Sequence, residues 1–283
     1  MSSIIIAKPN QGECYSGPSL HELQQARQSL SEHIHSTPLL TLNGNDDDHN
    51  NPVLYKMELW QLTGTFKVRA ALLNVMQLTD AQKNSGVVAL SGGNHAIAVS
   101  YAAKQFNITA TVIMPKTASK LRMQLCRQLG ATVMLEDSLA DCFTTADKLS
   151  QQGLTQIHPF EGSTVALGTG TLGLEIIETW PACDVIICAV GGGGLAAGIS
   201  NAVKQQKPSC QVFGVEPIEA NSMSQSFNLG YPIEQIATNT IADSLAAPCS
   251  LPYSYALCQQ HLDGIVNVSD NDIRAAMTYG FER

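Results

Sequence analysis

The sequence predicts an α/β fold of open, doubly wound, mostly parallel sheets in two domains. From residue 66 onward, short apolar segments alternate with helical segments of roughly 10–15 residues, the pattern of repeated βαβ units. Residues 184–190 are apolar almost throughout, as expected for a strand covered on both faces. Glycine-rich turns follow several strands, and doubly wound folds bind ligands at the carboxyl ends of their strands. A chain of 283 residues with 44% hydrophobic content is large enough for two cores.

Capping and periodicity predict the individual elements. Ser19 and Glu22 form a capping box that opens a helix to about residue 33, and residues 43–52 are typical of a polar surface turn. The predicted strands span residues 86–91, 109–114, 131–135, 184–190 and 211–215. The predicted helices span residues 66–78, 94–106, 118–129, 139–151, 194–204 and 269–277.

Composition excludes several classes of function. The formal net charge is −8, and an acidic surface repels phosphate backbones, so we expect no nucleic-acid partner. The eight cysteines form no C-x-x-C pair, which favours buried free thiols in a reducing compartment over zinc or disulfides. The N-terminus lacks a basic signal region, and no apolar run approaches the roughly 18 residues that span a bilayer. We therefore expect a soluble, cytoplasmic protein without a membrane partner.

Two glycine-rich turns precede helices in the first part of the chain. Thr63-Gly-Thr-Phe-Lys67 places a lysine at a helix start, either as a surface residue or as an imine-forming amine of lowered pKa in an apolar pocket. Ser91-Gly-Gly-Asn-His95 joins a strand to a helix, and its backbone N–H groups suit a carboxylate at the helix N-terminus. The alternative for this turn is a plain connection in which Asn94 caps the helix.

Two further glycine-rich segments follow. Val190-Gly-Gly-Gly-Gly-Leu195 lets the backbone approach an anion closely, and the next helix adds its positive end. It has no Walker lysine and no G-x-G-x-x-G spacing with an acidic residue about 20 positions on, so a phosphate monoester fits better than a nucleotide. A purely structural turn is the alternative. Leu167-Gly-Thr-Gly-Thr-Leu-Gly173 is predicted to open another helix, or to serve close helix packing.

Taken in order, these segments resemble the serine/threonine dehydratase family of pyridoxal-phosphate enzymes, which have fold type II. The likeness runs through nearly the whole chain. The matching segments are KMELWQLTGTFKVRA, SGGNHA, VIMPKTASKLRMQLCRQLGATV, HPFEG, GTGTLGLEI, AVGGGGLAAGI, FGVEP and TIADSLA.

The resemblance implies a role for each site residue. Lys67 would form a Schiff base with pyridoxal phosphate and later move the α-proton of the substrate. Phe66 would pack beside the cofactor, and Asn94 would hydrogen-bond the 3-hydroxyl oxygen of its ring. The residues implied to cradle the phosphate are Gly191, Gly192, Gly193, Gly194 and Leu195. The residues implied to bind the substrate carboxylate are Ser91, Gly92, Gly93, Asn94 and His95.

The resemblance also implies the reaction and the domain organisation. The reaction is that of an ammonia-lyase, or dehydratase, which converts a β-hydroxy amino acid such as L-threonine or L-serine to a 2-oxo acid and ammonia. Residues 1–78 and 158–283 would form a large cofactor-binding domain, and residues 79–157 a small mobile domain that closes over the substrate. A homodimer is expected, because symmetric dimers are the commonest soluble oligomers.

Two positions depart from the family pattern. Racemising members carry a serine where this chain has Gly92, so we expect elimination without racemisation and keep a serine racemase-like enzyme as an alternative. Metal-binding members use a glutamate, a backbone carbonyl and an aspartate. Glu216 and Ala220 supply the first two here, but Ser222 stands at the third, so a divalent cation is possible but not expected. Otherwise Glu216 would be a solvated loop acid.

The family normally continues past the helix at residues 269–277 with a strand, a helix and a small residue that contacts the pyridine nitrogen. We expect this end of the fold to be lacking, which leaves a catalytically impaired cofactor-binding homologue as a further alternative. β-Replacement, as in cysteine synthases, is disfavoured because those enzymes usually carry a different phosphate loop.

Overall fold

The structure is a computed structural model that describes residues 4–5, 15–41 and 52–282. Cys14, and all of the predicted 43–52 turn except Pro52, lie outside the described residues. Within the described part, the chain forms two four-stranded sheets and one two-stranded ribbon. The first elements are β1 (Ile4–Ile5), α1 (Leu20–Leu30), β2 (Leu39–Leu40), β3 (Tyr55–Lys56), α2 (Lys67–Met76) and α3 (Asp80–Ser85).

One sheet is entirely parallel and has the strand order β6-β5-β4-β7. Its central strands are buried on both faces, which accounts for their continuous apolar sequence. The strands are β4 (Val87–Leu90), β5 (Ala110–Pro115), β6 (Thr132–Glu136) and β7 (Thr155–Gln156). The helices that connect them are α4 (Asn94–Gln105), α5 (Lys120–Gln128) and α6 (Leu139–Gln151).

The other sheet has the order β1-β10-β9-β8, in which β8, β9 and β10 are parallel and β1 is antiparallel to β10. Its remaining strands are β8 (Val185–Ala189), β9 (Gln211–Pro217) and β10 (Gly264–Val268). The helices of this half are α7 (Ser163–Thr179), α8 (Gly194–Gln206), α9 (Ser222–Leu229), α10 (Pro252–His261) and α11 (Asp270–Glu282).

Helix α2 lies between the two halves of the molecule. Its buried residues Val68 and Leu72 belong to the same apolar cluster as Val87 of the β4–β7 sheet. Its other side meets α7, where an added Cβ on Gly168 would lie 2.6 Å from the Ala70 Cα. The first residue of α2, Lys67, therefore lies where both sheets can contribute to its surroundings.

Most predicted elements are confirmed, with ends shifted by a few residues, and α6 has the predicted bounds. The prediction that residues 167–173 open a helix is wrong, because they lie inside α7. Their glycines serve close packing instead: an added Cβ on Gly173 would lie 2.9 Å from the Ile199 carbonyl oxygen. Helices α3, α9 and α10 and strands β1, β2, β3, β7 and β10 were not predicted. The division into domains at residues 78 and 157 stays a prediction.

The capping box and the free thiols are confirmed. Glu22 N–H donates to the Ser19 hydroxyl (3.3 Å), and Ser19 N–H donates to the Glu22 carboxylate (2.7 Å). Among the seven described cysteines, all are free and only Cys249 is not fully buried. None of the helices in the described ranges has the length and apolar character needed to cross a bilayer.

Candidate active site

A strained turn delivers Lys67 to the start of α2. The Gln61 side chain holds the turn, because its oxygen accepts from His35 N–H (2.9 Å) and its amide donates to the His35 carbonyl (2.7 Å). Thr63 has a φ of 67°, a left-handed conformation that is uncommon for a β-branched residue, and Gly64 follows with a φ of 74°. This fixed turn places the lysine at the first helical position.

Lys67 is half-buried, and its amine is turned inward onto the protein. Its Nζ donates to the carbonyl oxygen of Pro159 (2.5 Å) and lies 5.1 Å from the centre of the Phe66 ring. Burial disfavours the ammonium form and lowers the pKa of Lys67 to about 8. The alternative that Lys67 is an ordinary surface lysine is thereby excluded.

A segment between β7 and α7 joins Lys67 to the other loops of the site. We call it the 157–161 segment; it consists of Ile157, His158, Pro159, Phe160 and Glu161. The Pro159 carbonyl accepts from Lys67, and the Ile157 carbonyl lies 2.9 Å from the His95 Nε2. Because a carbonyl oxygen only accepts, His95 Nε2 carries the hydrogen.

The same segment also contacts the glycine loop, which consists of Gly191, Gly192, Gly193 and Gly194. An added Cβ on Gly192 would overlap the Phe160 ring, and one on Gly194 would lie 2.8 Å from the Phe160 Cα. His158 Nδ1 accepts from the backbone N–H groups of Phe160 (3.2 Å) and Glu161 (2.9 Å). Burial, followed by the nearby Lys67 charge, lowers the pKa of His158 to about 4, so this imidazole is neutral.

The predicted carboxylate loop lies at the N-terminus of α4. Ser91 Oγ accepts from Gly93 N–H (3.1 Å), and Asn94 is the first helical residue, with no side chain capping the helix. None of the described residues hydrogen-bonds the Asn94 side chain. Burial, with a smaller contribution from Lys67, lowers the pKa of His95 to about 3. The His95 side chain is therefore neutral, and its Nε2 is bonded to the Ile157 carbonyl. The backbone N–H of His95 is then the group left for the predicted contact with a carboxylate.

The glycine loop forms the N-terminus of α8 and has no room for side chains. Gly193 is the N-cap with a φ of 92°, and no side chain caps the helix. An added Cβ on Gly193 would lie 2.5 Å from the Met223 Cε, and one on Gly191 would lie 3.3 Å from the Leu245 Cα. The uncapped N–H groups and the helix dipole suit an anion here.

An ion pair connects the surroundings of these two loops. Arg122 of α5 lies close to Gly93, with its Nη1 3.9 Å from the position of an added Cβ. The same Nη1 donates to the Asp243 carboxylate (2.6 Å). Asp243 belongs to a short turn whose Leu245 packs on Gly191. The pair therefore spans from the carboxylate loop to the glycine loop.

Two residues beyond Lys67, Arg69 is fully buried in a cluster of charges. It forms paired hydrogen bonds with Glu58 (2.9 and 2.8 Å) and with Glu175 (2.6 and 2.9 Å). Lys56 also bonds Glu175 (2.7 Å). Burial alone would raise the pKa of Glu175, but Arg69 and Lys56 outweigh it and hold that pKa below its usual value. This cluster fixes α2 to α7 and to β3.

The segment predicted as a weak metal site is organised differently. Glu216 is fully buried, so the interpretation as a solvated loop acid is wrong. Its carboxylate accepts from the N–H groups of Met223 (2.9 Å) and Ser224 (2.8 Å), which begin α9. Ala220 precedes this helix. No cluster of three or more acidic, histidine or cysteine side chains suited to a metal occurs among the residues that the structure describes.

Known proteins are similar to this chain in sequence and in fold. Residues 30–283 match the family of pyridoxal-phosphate dependent enzymes. A phenylserine dehydratase from Ralstonia pickettii is 43% identical over 267 residues, covering 94% of this chain and 82% of that one. The L-threonine ammonia-lyase of Thermotoga maritima is 33% identical, covering 94% and 67%. The structure of maize serine racemase superposes with a TM-score of 0.90 at 30% identity, covering 94% and 82%.

The fold and the site define an α/β enzyme in which the 157–161 segment links a half-buried lysine amine of lowered pKa to two helix N-termini without side-chain caps. The chain belongs to the pyridoxal-phosphate dependent enzyme family of fold type II, and its cofactor is pyridoxal phosphate. The residues present fit that cofactor. Lys67 could offer its amine to the aldehyde and the glycine loop its N–H donors to the phosphate, and among the described residues none occupies the Asn94 amide.

Proposed function

We propose that this enzyme is an ammonia-lyase that converts a β-hydroxy amino acid, such as L-threonine or L-serine, to a 2-oxo acid and ammonia. The observation that carries the proposal is the Lys67 amine on the Pro159 carbonyl, whose pKa of about 8 suits a base near neutral pH. Similarity to an L-threonine ammonia-lyase and a phenylserine dehydratase supports elimination of a β-hydroxyl group. The second relative adds aromatic β-hydroxy amino acids to the substrate class.

Lys67 has two roles in this proposal. In the resting enzyme it would hold the cofactor through its amine. Bound pyridoxal phosphate withdraws electrons from an attached amino acid and makes its Cα–H bond acidic. Lys67 would then act as the base that takes the Cα proton of the substrate, since its lowered pKa would keep the amine partly unprotonated near neutral pH. Phe66, 5.1 Å from the amine, flanks the same space.

The remaining site residues bind and orient. Backbone N–H groups of the glycine loop hold the phosphate, because the N-terminus of α8 has no side-chain cap. Asn94 donates its free side-chain amide to the ring oxygen of the cofactor. The backbone of the loop that begins at Ser91 binds the substrate carboxylate at the N-terminus of α4, which also lacks a side-chain cap. Orientation of the Cα–H bond is then the main contribution of the protein.

Residues 79–157 are proposed as the mobile unit that closes over the substrate and excludes water. In the structure α5 already reaches the turn of Asp243, where the Arg122–Asp243 ion pair (2.6 Å) joins the two halves. A homodimer is proposed as the assembly, and light scattering on the purified protein tests it.

Absorbance and product analysis test the function. Protein supplied with the cofactor should absorb visible light, Lys67→Ala should lose that absorbance, and the exposed Lys104→Ala should keep it. L-Serine, L-threonine and phenylserine are then assayed for 2-oxo acid and ammonia in equal amounts. Visible absorbance without product from any of them would contradict the lyase and favour a catalytically impaired homologue.

A serine racemase-like activity is the second candidate, favoured by the similarity to the maize enzyme. Racemisation needs a second acid or base on the opposite face of Cα, and Gly92 offers none. A Cβ at this position would lie 3.2 Å from the Ala118 Cβ and 3.5 Å from the Pro115 Cδ, so the space is tight. L-Serine should therefore yield pyruvate without D-serine, and D-serine formed at a comparable rate would contradict this.

A further inference from the structure

The 157–161 segment is organised around one nitrogen atom. His158 Nδ1 accepts hydrogen bonds from two successive backbone N–H groups, those of Phe160 (3.2 Å) and Glu161 (2.9 Å). The imidazole edge also meets the Phe160 ring, with ring centres 4.7 Å apart and planes at 86°. Only an unprotonated Nδ1 can accept both bonds, and burial keeps the ring neutral.

Both ends of the resulting turn are attached to the rest of the fold. Ile157 is paired with His95 at one end. At the other end, the Glu161 carboxylate accepts from the N–H groups of Tyr253 (2.7 Å) and Ser254 (3.0 Å), the first turn of α10. The Ser254 hydroxyl donates to the Phe160 carbonyl (2.6 Å). Between these attachments, the path of the backbone depends on the bonds to His158.

The turn presents two groups to the site. The Pro159 carbonyl points at the Lys67 amine at 2.5 Å. The Phe160 ring and backbone fill the space that side chains at Gly192 and Gly194 would need. A change in the path of the turn would therefore move the acceptor of the lysine and the support of the glycine loop together.

We propose that His158 is a positioning residue, whose Nδ1 fixes the 157–161 segment so that Pro159 holds the Lys67 amine and Phe160 supports the glycine loop. The proposal rests on the proposed role of Lys67 as cofactor anchor. It predicts that what matters at position 158 is an acceptor at the place of Nδ1, rather than an imidazole.

Two substitutions separate these possibilities. His158→Asn places Oδ1 where Nδ1 stands, so it can accept the same two N–H bonds. His158→Gln moves the oxygen one bond further and leaves them unpaired. The dissociation constant of pyridoxal phosphate and the visible absorbance of the loaded protein are measured, with melting temperatures of the cofactor-free proteins as the control for folding.

We expect His158→Gln to weaken cofactor binding at least roughly tenfold and to reduce the visible absorbance, since two N–H groups lose their partner. The dissociation constant of His158→Asn should stay within about threefold of that of the natural protein, a smaller change than the roughly tenfold expected for His158→Gln. Equal behaviour of the two variants, whether both are weak or both are unaffected, would overturn the proposal. Where His158→Gln does not fold, His158→Ala takes its place under the same two outcomes. Lys67→Ala with retained visible absorbance would instead contradict the role of Lys67, which separates the two failures.

Discussion

Replacing Arg69 by methionine tests the charge cluster behind the active-site lysine. The guanidinium of Arg69 is fully buried and makes two hydrogen bonds to Glu58, two to Glu175 and one to Thr171 (3.3 Å). Methionine fills similar space but removes the positive charge and all five donors. Lys56 still compensates Glu175, whereas from the described residues Glu58 keeps only a short side-chain hydrogen bond, donated by the Thr37 hydroxyl (2.5 Å).

The expected loss of stability follows from this geometry. Removing one partner of a buried ion pair typically costs about 3–5 kcal/mol, because the other charge remains buried. Arg69 serves two carboxylates, so we expect the upper part of that range for Arg69→Met. Arg69→Lys keeps the charge but has no fork to serve both carboxylates, and the loss of charged hydrogen bonds should cost about 2 kcal/mol.

Thermal unfolding of the cofactor-free protein, followed by circular dichroism, measures the effect. For a chain of this size, about 4 kcal/mol corresponds to a fall in melting temperature on the order of 10 °C. Arg69→Lys should show roughly half of this shift. A surface substitution such as Arg274→Met on the exposed α11 serves as control, and it should change stability by less than about 0.5 kcal/mol.

A double substitution gives the sharper test. If the cost arises from an uncompensated carboxylate, Glu58→Gln should recover part of the stability lost in Arg69→Met, because the two residues are in contact. The reasoning is refuted if Arg69→Met melts within about 3 °C of the natural protein, a loss of only about 1.2 kcal/mol by the same scaling. It is equally refuted if the changes in unfolding free energy caused by Arg69→Met and Glu58→Gln are simply additive.

Three further predictions concern the site and its supports. The rate of cofactor incorporation into the cofactor-free protein should rise with pH and level off near the Lys67 pKa of about 8; a plateau only above about 10, as for exposed lysines, would contradict the burial of the amine. Burial raises the pKa of Glu216 to about 7, above its usual value of 4.5, so its contribution to stability is full below about 4.5 and is lost as pH rises through about 7. Between pH 4.5 and about pH 7 the unfolding free energy should therefore fall by on the order of 3 kcal/mol because of Glu216, and Glu216→Gln should remove this fall. Glu219 is exposed, and Glu219→Gln should leave the fall unchanged. Arg122→Gln and Asp243→Asn should each raise the KM for substrate by no more than about fivefold, because a half-exposed ion pair is worth about 1 kcal/mol. High salt should cause the same change in the unsubstituted protein, since it screens the pair. A melting temperature lowered as far as in Arg69→Met would instead show that the pair has a structural role.

Much of the fold was predictable because most of its helices and strands carry their signals locally. Helix α6 begins where the Ser138 hydroxyl accepts from Asp141 N–H (3.1 Å). The periodic spacing of its apolar residues predicted both ends of the helix. The start of helix α7 was misplaced for the opposite reason. This helix is buried nearly all around, so it has no amphipathic face, and its glycines imitate a turn.

The site was predictable in part for a similar reason. The two glycine loops and Lys67 are short motifs at element junctions, and their order along the chain carries the resemblance. The 157–161 segment has no periodicity, and its Pro159 meets Lys67 across 92 positions of sequence. The partner of Arg69 in α7 lies 106 positions away. Such pairings depend on how helices stack, which no local pattern encodes.

The buried cysteine thiols of this protein can report which part of it unfolds first. Burial raises the pKa of the Cys188 thiol to about 12 and that of Cys258 well above its usual value, so neither forms the thiolate that alkylating reagents attack. These two lie in the core of the β8–β10 half, whereas Cys126 and Cys142 lie in the β4–β7 half. Mass spectrometry after brief alkylation in mild denaturant would therefore show, without any engineered label, which half of the molecule loosens first.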